Sequence, residues 1–282
     1  MTMPSRSLPA ASFLMVLQAC LPPPRAWEVD GSEDTGVAVQ VDDTASTDIP
    51  CSSIKFMPNS SEGGDEAWSY LKISNDALTS GSFAVDGSFT VEFYSWIIDV
   101  GLGETRTLVS LGNDRAWWLK IEGAPEADEL VFAVKAGDGE EGDDEFELRV
   151  EAPSSGAWHH IAVVYDADLS PKKVSLYVDG TREAQETIDG SWPGPDPDDD
   201  VLRVARANDG SPSWAAQVDL FRYAQAARHQ GLNTTIEPET ATDGWQGIWH
   251  FSGDTANALT GVLSEAQNVT FDDWCPNREG GR

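Results

Sequence analysis

The residues with the plainest reactive potential lie in GAWHHIAVVYDADLSPKKVSLYVDG (156–180), where His159 and His160 stand between Trp158 and several aspartates. Histidine beside carboxylate is the chemistry of a metal centre or of general acid–base catalysis. The flanking residues argue against both. They read as a β-strand, in which neighbouring side chains leave on opposite faces, so the two rings cannot meet one ion or one substrate. We expect scaffold histidines, one at the interior or its rim and one on the opposite face. A second set is Glu145, Glu147 and Glu151, which share one face of the alternating run EFELRVEA (145–152). Two carboxyls about 5–5.5 Å apart are what retaining glycoside hydrolysis needs. Arg149 sits among them, however, and the run follows the acidic stretch GDGEEGDDE. Its expected role is the solvated face of an amphipathic strand. Neither G-x-S-x-G nor H-E-x-x-H occurs in the chain.

Short strands must position these residues. SFTVEFYSWII (88–98) puts Phe89, Val91, Phe93 and Ser95 on one face and Thr90, Glu92, Tyr94 and Trp96 on the other. RTLVSLG, AWWLKIEG and ELVFAVKAG follow, then EFELRVEA with Phe146, Leu148 and Val150 inward. WHHIAVVYD and KVSLYVDG come next, and Asp179-Gly180 supplies turn chemistry into TREAQETI. VLRVAR, QVDLFRYAQ, GIWHFSG and NVTF complete the series; only AQAARHQGL looks weakly helical. IAVVY is apolar on both faces, as suits a strand covered on both sides. Gly, Asp, Asn and Pro clusters separate the runs, and no long-period repeat is present. The expected fold class is all-β, an antiparallel β-sandwich. Trp117 and Trp118 are adjacent in a strand, so one is expected in the core and the other not. Trp192 and Trp214 fall in Gly/Pro/Ser-rich loops and are the candidate ligand platforms, since an indole stacks on a flat sugar face. In the loop WPGPDPDDD (192–200), Asp196, Asp198, Asp199 and Asp200 match no coordination spacing and read as solvated.

Eighteen basic residues against forty-eight acidic ones give a formal charge of −30. Such a surface repels nucleic acid and anionic lipid headgroups and leaves carboxylates for hard cations such as calcium. At the N-terminus, MTMPSRS is followed by LPAASFLMVL and then LQAC. This apolar run is too short to span a bilayer, and residues 1–19 are expected to be a secretory signal peptide. L-Q-A-C at 17–20 also resembles a bacterial lipobox, in which Cys20 would be the lipid-attachment residue; the alternative is an ordinary signal peptide cut near Ala19. Acylation of Cys20 would leave Cys51 and Cys275 as a disulfide pair closing a loop of more than two hundred residues. That cross-link is worth about 4–5 kcal/mol in the chain-entropy model; the alternative is two free buried thiols. Residues 20–50, rich in Pro, Asp, Ser and Thr, are expected to be an acidic flexible linker, residues 51–276 a single folded domain and 277–282 a tail. The chain is expected to be exported, either as a lipoprotein of the bacterial outer membrane or cell surface or as a secreted protein. It would meet a membrane only through an N-terminal lipid anchor.

The order SFTVEFYSWI, LVFAVKAG, GAWHHIAVVYD, KVSLYVDG and QVDLFRYAQAA resembles the laminin-G-like (LamG-like) domain of the concanavalin A-like lectin/glucanase superfamily. The resemblance rests on Trp158-His159-His160-Ile161-Ala162, on Tyr177-Val178-Asp179-Gly180 and on Val218-Asp219-Leu220-Phe221-Arg222-Tyr223. GIWHFSGDTANALTG (247–261) is similar to the W-x-F-D-E segment of these domains. That segment usually comes first; here it comes near the C-terminus, as a permuted arrangement or a flanking strand. The resemblance implies a jelly roll over residues 51–276. It also implies one structural calcium ion held by Asp219 with backbone carbonyls, and recognition of an extracellular glycan or protein. β-Glucanases and laminarinases of the same fold carry E-x-D-x-x-E on one strand, and the D-x-x-E half is missing from EFELRVEA. The expected function is an exported, lipid-anchored binding module that recognises extracellular carbohydrate or protein ligands without catalysis. The alternatives are a glycoside hydrolase or lyase on this fold, and a structural envelope protein without its own ligand.

Overall fold

The computed structural model describes residues 53–56, 69–79, 83, 87–98, 100–112, 117–135, 145–188, 201–206, 217–228 and 244–273, all within one unit spanning Thr47–Arg282. The expected signal peptide and linker, Cys20, Cys51, Cys275, Trp192, Trp214 and the 192–200 loop lie outside the described residues.

The described strands are β1 (Ser53–Phe56), β2 (Tyr70–Ser74), β3 (Phe89–Trp96), β4 (Thr105–Leu111), β5 (Trp117–Glu122), β6 (Glu129–Lys135), β7 (Glu145–Glu151), β8 (Trp158–Asp166), β9 (Lys172–Val178), β10 (Thr181–Ile188), β11 (Val201–Val204), β12 (Gln217–Ala224), β13 (Gly247–Trp249), β14 (Glu265–Gln267) and β15 (Val269–Asp272). One 3-10 turn, Asn75–Ala77, follows β2. The strands form two antiparallel sheets. The first runs β10-β9-β8-β3-β12-β1-β15 with β13 beside β12, and the second runs β14-β2-β11-β4-β5-β6-β7. This is the all-β sandwich that the alternating segments require, of the jelly-roll kind.

The core lies between the sheets. Phe89, Val91 and Phe93 from β3, Ile161, Val163 and Tyr165 from β8, and Phe221 and Tyr223 from β12 meet Trp117, Leu119, Ile121, Phe132 and Leu148 of the second sheet. The Trp117 ring stacks on Phe89 with centroids 5.4 Å apart, and burying each such side chain is worth roughly 1.5–3 kcal/mol. Trp118, one residue on, leaves by the opposite face and packs with Val131 and Ala133. β8 is covered on both faces, Ile161, Val163 and Tyr165 lying in the core and Ala162 and Val164 packing with Tyr177 and Ala227 on the outer face, which explains why IAVVY is apolar throughout.

β12 carries a bulge. Its register against β3 shifts between Asp219 and Arg222, and Leu220 takes a positive φ of 44°. The extra residue puts Asp219 and Leu220 on one face, returns Phe221 to the core and sends Arg222 outward. The late W-x-F segment supplies a flanking strand, β13, which pairs with β12, and β14 beyond it pairs with β2. Trp249 is fully buried and its Nε1 donates to Ser264 Oγ at 3.0 Å. Gly247 leaves room for it, because a Cβ there would run into the Trp249 indole. Residues 225–228 are bend and loop, with no helix.

Candidate functional site

The twin histidines part at the end of β8. His159 Nδ1 faces Asp179 Oδ2 at 2.7 Å, and its Nε2 faces the Ser154 carbonyl at 3.0 Å and the Ser154 hydroxyl at 3.2 Å. Asp179 and Gly180 form the two-residue β9–β10 turn, with φ of 50° and 77°, the left-handed pair a type I′ hairpin demands. Asp179 Oδ1 also accepts from the His160 backbone N–H at 2.9 Å. The ring therefore clasps the β7–β8 loop to the β9–β10 turn. Serine, histidine and aspartate here stand in the order of a hydrolase triad. Yet Nε2 is nearer an oxygen that only accepts than a proton to remove, and the trio holds loops together.

His160 leaves by the outer face of the first sheet, buried beneath Tyr94 with ring centroids 5.2 Å apart. Its Nε2 lies 3.5 Å from Glu92 Oε2, and Glu92 Oε1 accepts from Arg222 Nη1 at 3.1 Å. Glu92 and Arg222 are both buried. They are enclosed because the chain crosses back over its own sheet. Thr90 Oγ1 donates to the Ala226 carbonyl at 2.7 Å and accepts from the Arg228 backbone N–H at 3.0 Å. Ala227 packs on Ala162, Val164 and Tyr177. Trp245 packs with Tyr94, Leu220, Ala224 and Ile248, and its ring lies 5.4 Å from the Arg222 guanidinium. Burial, with help from nearby Arg222, pushes the His250 imidazole below its ordinary value.

The carboxylate strand has a different fate. On the outer face of the second sheet, Arg149 reaches Glu122 at 2.7 Å and Glu129 at 2.8 Å, and its Nε donates to Glu147 Oε2 at 2.8 Å. Lys120 reaches Glu122 at 2.7 Å and Glu147 at 3.3 Å. Burial alone would raise the Glu122 carboxyl, but hydrogen bonds from Lys120 and Arg149 outweigh it and hold the group below its usual range. A glycosidase acid needs the reverse, a carboxyl raised toward neutrality.

Asp219 is fully buried, with Oδ1 accepting from the Leu220 N–H at 2.7 Å across the bulge. Among the described residues, no group of three His, Cys, Asp or Glu gathers. One carboxylate with an oxygen already engaged does not by itself fit the six to eight oxygens that calcium takes.

Open concavities lie elsewhere. At one end of the sandwich, Asp128 divides a cavity of about 270 Å³ beside Ile97 and Ser154 from one of about 430 Å³ along Ala124–Glu129. A third, of about 240 Å³, opens on the outer face at the β8–β9–β10 edge, lined by Asp166, Leu169, Lys173, Ser175, Arg182 and Gln185 among others. A register shift between Arg182 and Ala184 turns Gln185 to face Ser175, and Gln185 Nε2 donates to Ser175 Oγ at 2.8 Å. Sequence reading passed over this set; its signal is two cations on alternating strands of a very acidic chain.

Two stacked antiparallel sheets, with the W-H-H and Y-V-D-G residues tying loops at one end, define a lectin-type β-sandwich. The chain belongs to the concanavalin A-like lectin/glucanases superfamily: its laminin-G-type family model matches residues 65–231, more than half of the chain. Comparison with curated proteins finds no match. Among solved structures, a Bacteroides ovatus protein named for carbohydrate binding is similar at 19% identity and a TM-score of 0.54, over 79% of this chain and 60% of that one. A SAP-like pentraxin of Limulus polyphemus is similar at 12% identity and a TM-score of 0.49, over 79% and 95%. Domains LG4-5 of the mouse laminin alpha1 chain follow at 14% identity and a TM-score of 0.39, over 67% and 46%. The chain thus spans about 60% of the length of the Bacteroides neighbour, and at these identities the likeness is one of fold.

Proposed function

We propose that the protein is an exported, non-catalytic binding module, attached through a lipid on Cys20 to the bacterial outer membrane or cell surface, that recognises extracellular carbohydrate or protein. One observation carries the non-catalytic part. The groups able to do chemistry are engaged in holding the fold: His159 by Asp179 and Ser154, and Glu147 by Arg149 and Lys120. Superfamily membership and the open polar cavities support the binding part.

A glycan array and a pull-down with the exported chain, calcium present, test this reading. We expect retention of a glycan or protein without cleavage. Polysaccharide cleavage abolished by Glu147→Gln would turn the assignment to a glycoside hydrolase or lyase. Empty results from both assays would leave a structural envelope protein. β1 lies beside β15 with Ser53 opposite Asp272, which supports a Cys51–Cys275 disulfide. Mass spectrometry of the exported protein should find that bond and an acylated Cys20; Cys20 in a disulfide overturns the scheme. Calcium at Asp219 is tested by melting the protein with calcium and with EDTA, and an unchanged Tm rejects it.

A further inference from the structure

We propose that the cavity at the β8–β9–β10 edge is a subsite for uronic acid residues of an acidic polysaccharide. The inference rests on the reading of the chain as a binding module and names the ligand class.

Three observations carry it. First, two cations line the cavity, Lys173 and Arg182; among the described residues neither forms a salt bridge, and Arg182 donates to the Tyr177 hydroxyl, a neutral group. Five cations elsewhere, Lys72, Arg106, Lys120, Arg149 and Arg222, each pair with glutamate. In a chain of charge −30, two partly buried cations that share one concavity and form no salt bridge among the described residues mark a place for an anion. Second, the cations stand at opposite ends of the site. Lys173 is opposite Thr187 and Arg182 opposite Tyr177, with the Ser175–Gln185 rung between them. A chain of linked acids, rather than one compact anion, matches that spacing. Third, the groups between are those that bind sugar hydroxyls: Ser175, Gln185 and the Asp166 carboxylate, with Leu169 beside them offering an apolar surface that is 44% exposed. A bare phosphate or sulfate would gain nothing from Asp166, whereas a hydroxylated acid would donate to it. The volume, about 240 Å³, is below the roughly 300–1,000 Å³ of drug-sized sites and suits a sugar ring.

Calorimetric titration of the full chain with tetramers of galacturonate, mannuronate, guluronate and glucuronate, against neutral galactotetraose, tests the inference. We expect at least one uronide to bind and galactotetraose not to. Lys173→Gln and Arg182→Gln should each weaken that binding about tenfold with an unchanged Tm, and Lys55→Gln, away from the cavity, should leave it intact. Equal binding of galactotetraose, or variants that bind as the parent does, overturns the subsite. Failure of all four uronides while neutral glycans are retained on the array also overturns it but leaves the binding-module reading standing; failure on every glycan and protein removes both.

Discussion

On the outer face of each sheet one arginine gathers glutamate, in opposite surroundings. Arg222 is fully buried and meets Glu92 beneath Trp245 and the 226–228 crossing. Arg149 has 39% of its side chain exposed and bridges Glu122, Glu129 and Glu147 in the open. The number of contacts favours Arg149, but the energetics do not. An exposed pair exchanges water for carboxylate at little net gain, typically below about 1 kcal/mol. A buried pair has lost its water, so removing one partner strands the other charge at a cost of about 3–5 kcal/mol. Around Arg222 the first sheet's outer face is therefore a second interior, while around Arg149 the second sheet's outer face is surface.

The largest effect is expected at the buried pair. Arg222→Ala should lower unfolding free energy by about 3–5 kcal/mol in urea titration, and Glu92→Leu combined with Arg222→Met should recover most of it, because an apolar pair leaves no stranded charge. A double variant as unstable as the single one would mean that the pair does more than neutralise itself. Next comes the clasp. His159→Ala releases Asp179 and the Ser154 carbonyl and should cost about 1–3 kcal/mol, with faster proteolysis at 152–156 as the local readout. The third concerns pH. Burial and then Arg222 lower the His250 pKa from its ordinary 6.5, so below that value the unfolded chain binds a proton that the folded chain refuses. Stability is then full above about pH 6.5 and falls as pH drops toward the folded value. His250→Gln should flatten this slope between pH 7 and 5, and an unchanged slope places its origin elsewhere. The smallest effect is expected on the open face. Arg149→Gln should cost no more than about 1 kcal/mol. Because Glu122 is held below its ordinary value of 4.5, that loss should be present above about pH 4.5 and fade below it; a loss matching that of Arg222→Ala would erase the contrast between the two faces.

The strands from 88 to 224 were legible because period-two alternation is a direct record of which side chain meets the core. SFTVEFYSW and EFELRVE sort their faces as the pattern requires. So does the opposite exit of His159 and His160, which follows from strand geometry alone. β1, β2 and β14 were not read. They are three to five residues long, too few for a period to show. The burial of Glu92 was also hidden, because alternation marks it as outward, and only the return of 226–228 over Thr90 encloses it. The open cavity was missed for the same reason: Lys173 and Arg182 look like ordinary solvated charges until the β10 bulge turns Gln185 toward Ser175.

In the first sheet, β1 and β15 occupy one margin and β9 and β10 the other. At about 4.8 Å per strand, some 30 Å of sheet separates the two margins. The described residues begin at Ser53 on one rim, and the opposite rim carries Lys173 and Arg182. Any cross-link made directly at Ser53 or Asp272 would hold that rim and leave the far one uncovered.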